Sequence, residues 1–220
     1  MSWNCNGRFR GKKELVQSFN ADICIIQESE NPQKYPHGFF DIFGNYHWIG
    51  LNDNKGLLVF SDHGVLLDIK EWNNYGLRHF LPLRVNNSFD LVAVWAGFPY
   101  IEEYYIYQQI YKSFYNSDTI IVGDFNSNSI WDKKHKERNH SEVVRQLNSI
   151  GLMSAYHISF GEDQGKETQN TFYLHRDINK GYHIDYCFIN SERLNSFEIE
   201  DKNTWLEYSD HLPIIIDIKY

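Results

Sequence analysis

Apolar and polar positions along this chain follow two rhythms. Residues 120–122, Ile-Ile-Val, form a β-branched run of the kind a strand buried on both faces carries, and residues 22–27 (DICIIQ) repeat it. Residues 56–60, 65–69, 79–85 and 89–95 are apolar or alternating runs separated by Asp-His-Gly, Asn-Asn-Tyr-Gly and Asn-Asn-Ser, a pattern that predicts an antiparallel meander. Strands are also predicted at 171–174 and 183–189, around a turn at 179–181, and at 214–218. Helical spacing appears at 12–20 (Leu15, Val16, Phe19), at 101–115, and at 141–150 (Val143, Val144, Leu147, Ile150), where Gly151 suits the position past the last turn. The 101–115 segment is dense in tyrosine (Tyr104, Tyr105, Tyr107, Tyr111, Tyr115). A stripe of this kind is far more often core packing than a base-stacking platform, and core packing is expected. Residues 29–55, with Pro32, Pro36 and His37, read as loop covering the core edge.

Composition narrows the class. A chain of 220 residues with 42% hydrophobic content can bury an ordinary globular core, and no repeat, low-complexity tract or linker divides it, so one domain over 1–220 is expected. The net charge of −8 supplies no global field for nucleic acid, although local basic residues could still serve a nuclease. The one concentrated basic stretch is 131–140, WDKKHKERNH. Such a run is usually a solvated face, but it directly follows 119–128, which makes Lys133, Lys134, Lys136 and Arg138 candidate contacts for substrate phosphate. Three widely spaced cysteines in apolar surroundings (Cys5, Cys24, Cys187) read as reduced core residues of a cytoplasmic protein, not a disulfide frame or zinc site. No segment resembles a signal peptide or approaches the length of a membrane span.

Chemistry concentrates at strand ends. In 119–128, TIIVGDFNSN, Gly123 permits a bend or a close approach, and alternation would put Asp124 and Asn126 on one side with Phe125 towards the core. Taken alone, the stretch fits a site and an Asx turn about equally. Glu28 ends the 22–27 strand, where a solvated loop residue is the plainer reading. Extended geometry would place Asn4 and Asn6 on one face and Cys5 on the other. Asp185 lies inside an otherwise apolar strand and therefore needs a partner.

Five motifs together carry a resemblance: WNCNG (3–7), IQES (26–29), GDFNSN (123–128), HIDY (183–186) and SDH (209–211). In this order, over nearly the whole chain, they resemble the endonuclease/exonuclease/phosphatase superfamily, the fold of exonuclease III and DNase I. The resemblance implies an α/β (α+β) four-layer sandwich: two packed, mostly antiparallel β-sheets flanked by helices. It also implies Mg²⁺- or Mn²⁺-dependent cleavage of a phosphate ester. By position, Glu28 matches the metal-binding Glu, Asn4 an Asn near the metal, and Asp210 a second metal-side carboxylate. Asn6 falls where several members carry Asp, making it a metal or outer-shell candidate. Asp124 matches the residue that orients or deprotonates the attacking water, and Asn126 a donor to phosphate or the leaving oxygen. His211 matches the catalytic His, with Asp185 its carboxylate partner. Two departures stand out. Gly97-Phe98-Pro99 lacks the tyrosine that abasic-site nucleases carry there, which weakens a DNA-repair reading, and little of the family's first strand precedes Trp3. A nuclease acting on DNA or RNA is the leading reading. The alternatives are a hydrolase of small phosphoesters (inositol phosphate, cyclic nucleotide or phospholipid headgroup) and an inactive binding member of the fold.

Overall fold

The computed structural model describes residues 1–34 and 44–219. Its strands are β1 (Ser2–Asn4), β2 (Ile23–Ser29), β3 (Asn45–Asn52), β4 (Lys55–Ser61), β5 (Leu67–Ile69), β6 (Phe80–Val85), β7 (Phe89–Trp95), β8 (Ile120–Asp124), β9 (Met153–Ser154), β10 (Phe172–Tyr173), β11 (Gly181–Tyr182), β12 (Asp185–Ile189), β13 (Leu194–Ile199) and β14 (Ile214–Ile218). The helices are α1 (Lys13–Gln17), α2 (Ile101–Tyr111), α3 (Asp132–His135), α4 (His140–Asn148), α5 (Ala155–Phe160) and α6 (Lys202–Trp205). One six-stranded sheet has the order β13-β14-β1-β2-β4-β3, and a second has β5-β6-β7-β8-β12-β9. All pairs are antiparallel except β1–β2 and β7–β8.

Three apolar clusters explain the layering. Ile25, Leu57 and Val59 of the first sheet meet Leu83, Leu91 and Val122 of the second, so the main core lies between the sheets. The other face of the second sheet packs Val92, Val94 and Ile121 against the tyrosines of α2 and the Val143, Val144 and Leu147 face of α4. The other face of the first sheet packs Trp3, Ile26 and Leu58 against Val16 of α1 and Trp205 of α6. This is the four-layer sandwich expected from the motifs. The tyrosine stripe is core as predicted, with Tyr104, Tyr107, Tyr111 and Tyr115 all buried. Cys5, Cys24 and Cys187 are free and buried.

The loop expected over 29–55 needs correction. β3 occupies Asn45–Asn52 and pairs with β4 as an edge hairpin, and Tyr46 and Trp48 pack on the outer cluster while Ile49 packs on the main core. Asn and Gly at both ends of the run mask this alternation. The part of that stretch holding Pro36 and His37 lies outside the described residues. β13 and α5 also carried too little periodicity to be read.

Gly123 has φ +147, and a Cβ there would stand 1.9 Å from the Val94 carbonyl oxygen and 3.0 Å from Gln27 Nε2. The missing side chain lets Gln27 of the first sheet donate from Nε2 to Val94 O of the second, at 3.3 Å. Gly123→Ala should therefore cost at least about 2 kcal/mol. Urea unfolding of the variant beside wild type measures it, and an unchanged midpoint would refute this account of Gly123.

Candidate active site

The site forms where the two sheets meet at one end. Asp124 ends β8 and Asp185 begins β12, and antiparallel register sets them directly opposite one another. Like charges facing across a strand pair repel, and both residues are buried. His211, in the segment before β14, resolves the conflict. Its Nδ1 lies 3.0 Å from Asp185 Oδ2 and 3.3 Å from Oδ1, while its Nε2 is 4.0 Å from Asp124 Oδ2. Burial alone would lower the His211 pKa, but Asp185, and after it Asp124, outweigh burial and raise it to about 9. Asp124 is raised to about 7, first by burial and further by Asp185, against the opposing pull of His211 and its hydrogen-bond donors.

Asp124 is held from three directions. Asn4 Nδ2, from the first sheet, donates to Oδ2 at 2.9 Å. The Asn126 backbone N–H donates to Oδ1 at 2.8 Å and its Nδ2 to Oδ2 at 3.0 Å. The Asx-turn reading of GDFNSN is met, and that turn is what brings Asn126 beside Asp124. The strand ends at Asp124, and Asn126 lies at φ +49. Asn126 Nδ2 also donates to Ala96 O at 3.1 Å, so its amide hydrogens already have acceptors. Phe125 is buried, with its ring 4.8 Å from that of Tyr104.

The remaining sequence candidates spread around this centre. Glu28 occupies the bulge of β2 at φ +63, one residue past Gln27, the register partner of Asn4, and its carboxylate pairs with Lys55 Nζ. Asp210 is half-buried, and among the described residues no group donates a hydrogen bond to its carboxylate. Asn6 departs from expectation. β1 ends at Asn4, and Asn6 turns off at φ +52 with its N–H donating to Asn4 Oδ1 at 3.0 Å, leaving its own side chain exposed. Lys133, Lys134, Lys136 and Arg138 are exposed on and beyond α3, interleaved with Asp132 and Glu137.

Several supports escaped the sequence reading because only the fold brings them together. Ser209 Oγ donates to Asn4 O at 2.7 Å and accepts from His211 N–H at 3.1 Å, and Trp3 Nε1 donates to His211 O at 3.0 Å. Lys12 Nζ donates to Cys5 O, Gly7 O and Tyr208 O at 2.5–2.9 Å, joining the WNCNG and SDH segments. Thr171 Oγ1 accepts from the N–H groups of Ile184 and Asp185. Phe172 lays its ring 4.7 Å from that of His211.

Asp124, Asp185 and His211 offer ligand atoms within 4.8 Å of one another. This buried group offers carboxylate oxygens of the sort a hard divalent cation takes, and Asp210 lies next to His211 in the chain. The cluster is consistent with the active site of a metal-dependent hydrolase. A family model described as the Endonuclease/Exonuclease/phosphatase family matches residues 1–211, and the chain belongs to that family. No curated protein matches it in sequence. Among solved structures it resembles the 3′ phosphatase NExo from Neisseria bound to product DNA hairpin, with 16% identity, TM-score 0.71, and coverage of 100% of this chain and 98% of that one. An AP endonuclease from Archaeoglobus fulgidus is similar at 16% identity, TM-score 0.70 and the same coverage. TDP2 from D. rerio, complexed with single strand DNA product, is similar at 14% identity, TM-score 0.69, covering 100% and 97%.

The pairing of His211 with Asp185 makes a prediction with a definite sign. His211 should titrate near 9 by NMR, against about 6.5 for a free imidazole, and Asp185→Asn should bring it down. Since the folded pKa is the higher one, the stability it confers is complete below about pH 6.5 and is lost as pH rises through 9. Denaturant midpoints should fall over that window in wild type and fall less in Asp185→Asn. A His211 titration indifferent to Asp185 would show that the two do not act as a pair.

Proposed function

We propose that this chain is a divalent-metal-dependent phosphodiesterase that hydrolyses nucleic acid. The carrying observation is the buried Asp124–His211–Asp185 group, bridged by Asn4 from the other sheet, which supports in-line attack of water on phosphorus. Asp124, held by Asn4 and Asn126, accepts a proton from the attacking water. His211 is oriented by Asp185, so its Nε2 side is free to stabilise negative charge on the phosphate. Asn126 reaches the phosphate or leaving oxygen by exchanging its bond to Ala96 O. Glu28, Asn4 and Asp210 would hold Mg²⁺ or Mn²⁺, with Asn6 at the margin. When bound, the cation neutralises charge on the phosphate oxygens and leaving group. Lys55 is a counter-charge for Glu28 that the ion would displace. DNA in two of the similar structures supports nucleic acid as the substrate class.

A second reading, hydrolysis of a small phosphoester, is favoured by the net charge of −8 and by the acidic residues interleaved through 131–140. The two separate by experiment. Wild type should hydrolyse single-stranded DNA or RNA in Mg²⁺ or Mn²⁺ faster than cyclic dinucleotides or inositol phosphates, and the reverse order favours the second reading.

Two variants test the residue roles. Glu28→Gln should keep the fold yet lose Mg²⁺ affinity by calorimetry along with turnover, so unchanged affinity would remove Glu28 from the metal site. Replacing Lys133, Lys134 and Lys136 by Ala should raise KM for an oligonucleotide more than for a small chromogenic diester and flatten its salt dependence. Equal losses on both substrates would assign the stretch a structural role.

A further inference from the structure

A loop outside the five motifs closes over one of them. Residues 161–167, GEDQGKE, leave the end of α5 and lie against the segment that follows GDFNSN. Glu162 ties the base of the loop down, accepting from Tyr156 Oη at 2.6 Å, from Thr168 N–H at 2.8 Å and from Thr168 Oγ1 at 2.6 Å. Gln164 spans two helices: its Nε2 donates to His157 Nδ1 of α5 at 3.2 Å, and its Oε1 accepts from His140 Nε2 of α4 at 3.2 Å. Gly165, at φ +80, is pressed so close that a Cβ would stand 2.5 Å from Ser129 Oγ.

Glu167 turns inward, its side chain only 4% exposed. Oε1 accepts from the Gly165 N–H at 3.0 Å and lies 3.2 Å from His157 Nε2, while Oε2 accepts from Asn128 Nδ2 at 3.1 Å. Burial alone would raise the Glu167 pKa, but His157, the loop N–H groups and Asn128 outweigh it and bring it down to about 2. At neutral pH this is a buried, charged carboxylate that the mechanism above does not use.

Asn128 is the link to the site. Its Oδ1 accepts from Ile130 N–H at 3.1 Å, and besides Glu167 its Nδ2 faces His183 O and Tyr186 Oη, each at 3.0 Å. Of these acceptors only Glu167 is charged, so its bond is the strongest and sets the direction of the amide. Phe125 N–H donates to Ile184 O at 3.0 Å. Segment 125–128 is therefore tied at both ends to the residues that lead into Asp185. Asn126 stands between the two ties at φ +49, a left-handed backbone that persists only where its surroundings hold it.

We propose that Glu167 is a positioning residue of the candidate site: through Asn128 it holds the loop carrying Asn126 in the geometry at which the Asn126 amide meets Asp124. The inference rests on the hydrolase reading above and adds to it a carboxylate that acts at one remove from phosphate and cation.

Side-chain amide exchange, followed by NMR on metal-free protein, tests this without turnover. In wild type the Asn126 Nδ2 hydrogens, bonded to Asp124 and Ala96 O, should exchange slowly. Glu167→Ala should speed that exchange by about tenfold, with the backbone amides of β8 and β12 as protected as before. Glu167→Gln, which keeps the volume and removes the charge, should act in the same direction and serves if the alanine variant does not fold. Both should lower kcat on whichever phosphate ester wild type hydrolyses by roughly ten- to a hundredfold, leaving KM and calorimetric Mg²⁺ affinity nearly unchanged. Adding Glu167→Ala to Asn128→Ala should cost little more than Asn128→Ala alone. Fast Asn126 exchange in wild type, exchange indifferent to Glu167, loss of β8 and β12 protection alongside it, or additive losses would each overturn the positioning role. Turnover by wild type with indifferent Asn126 exchange overturns that role alone. Absence of turnover on every phosphate ester overturns the hydrolase reading, and amide exchange still decides whether Glu167 holds Asn126.

Discussion

The arrangement of this molecule depends on one electrostatic conflict. Register sets Asp124 and Asp185 face to face on adjacent strands, both out of water, where two carboxylates cannot comfortably be charged together. His211 relieves it by lying against Asp185 with Nε2 towards Asp124. Everything near the site serves that relation. Ser209 fixes the His211 backbone, Phe172 covers its ring, and Asn4 and Asn126 occupy the oxygens of Asp124. Removing Asp185 would leave His211 Nδ1 without its partner, and removing Asp124 would leave the Asn4 and Asn126 amides short of an acceptor.

The conflict also explains why the sheets meet where they do. Asn4 and Gln27 sit at matched positions on β1 and β2, and each sends its amide across to the second sheet, to Asp124 and to Val94 O. Apolar packing between the sheets is non-directional and would tolerate a range of offsets. Two polar bonds at one end select a single offset, and Gly123 clears the space for one of them. The same end of the sandwich therefore carries the candidate site and the alignment of its layers.

Basic and acidic residues are interleaved on the surface. The basic residues of 131–140 are exposed and diluted by Asp132 and Glu137, while His135 is tied to Glu102. Arg78, Lys70 and Lys55 each have an acidic partner. No helix among the described residues is long and apolar enough to cross a membrane.

Local sequence determined a good deal of this protein. The apolar runs at β2, β7, β8 and β14 and the tyrosine-rich α2 were legible because their burial pattern repeats over a few residues, the range periodicity can report. GDFNSN was legible as an Asx turn because that geometry is made within the motif itself. The five motifs in order carried the family, and with it the expectation that His211 meets Asp185, which the structure places 3.0 Å apart. Tertiary structure alone decided the rest. β3 alternates too weakly to be read until β4 lies beside it, and Asn6 leaves the face of Asn4 because the strand stops. Thr171, Ser209, Lys12 and Phe172 look like ordinary loop residues until chain folding brings them to the site from distant positions. Local patterns encode which face of an element is buried; which polar atoms lose their water is settled only when the two sheets pack.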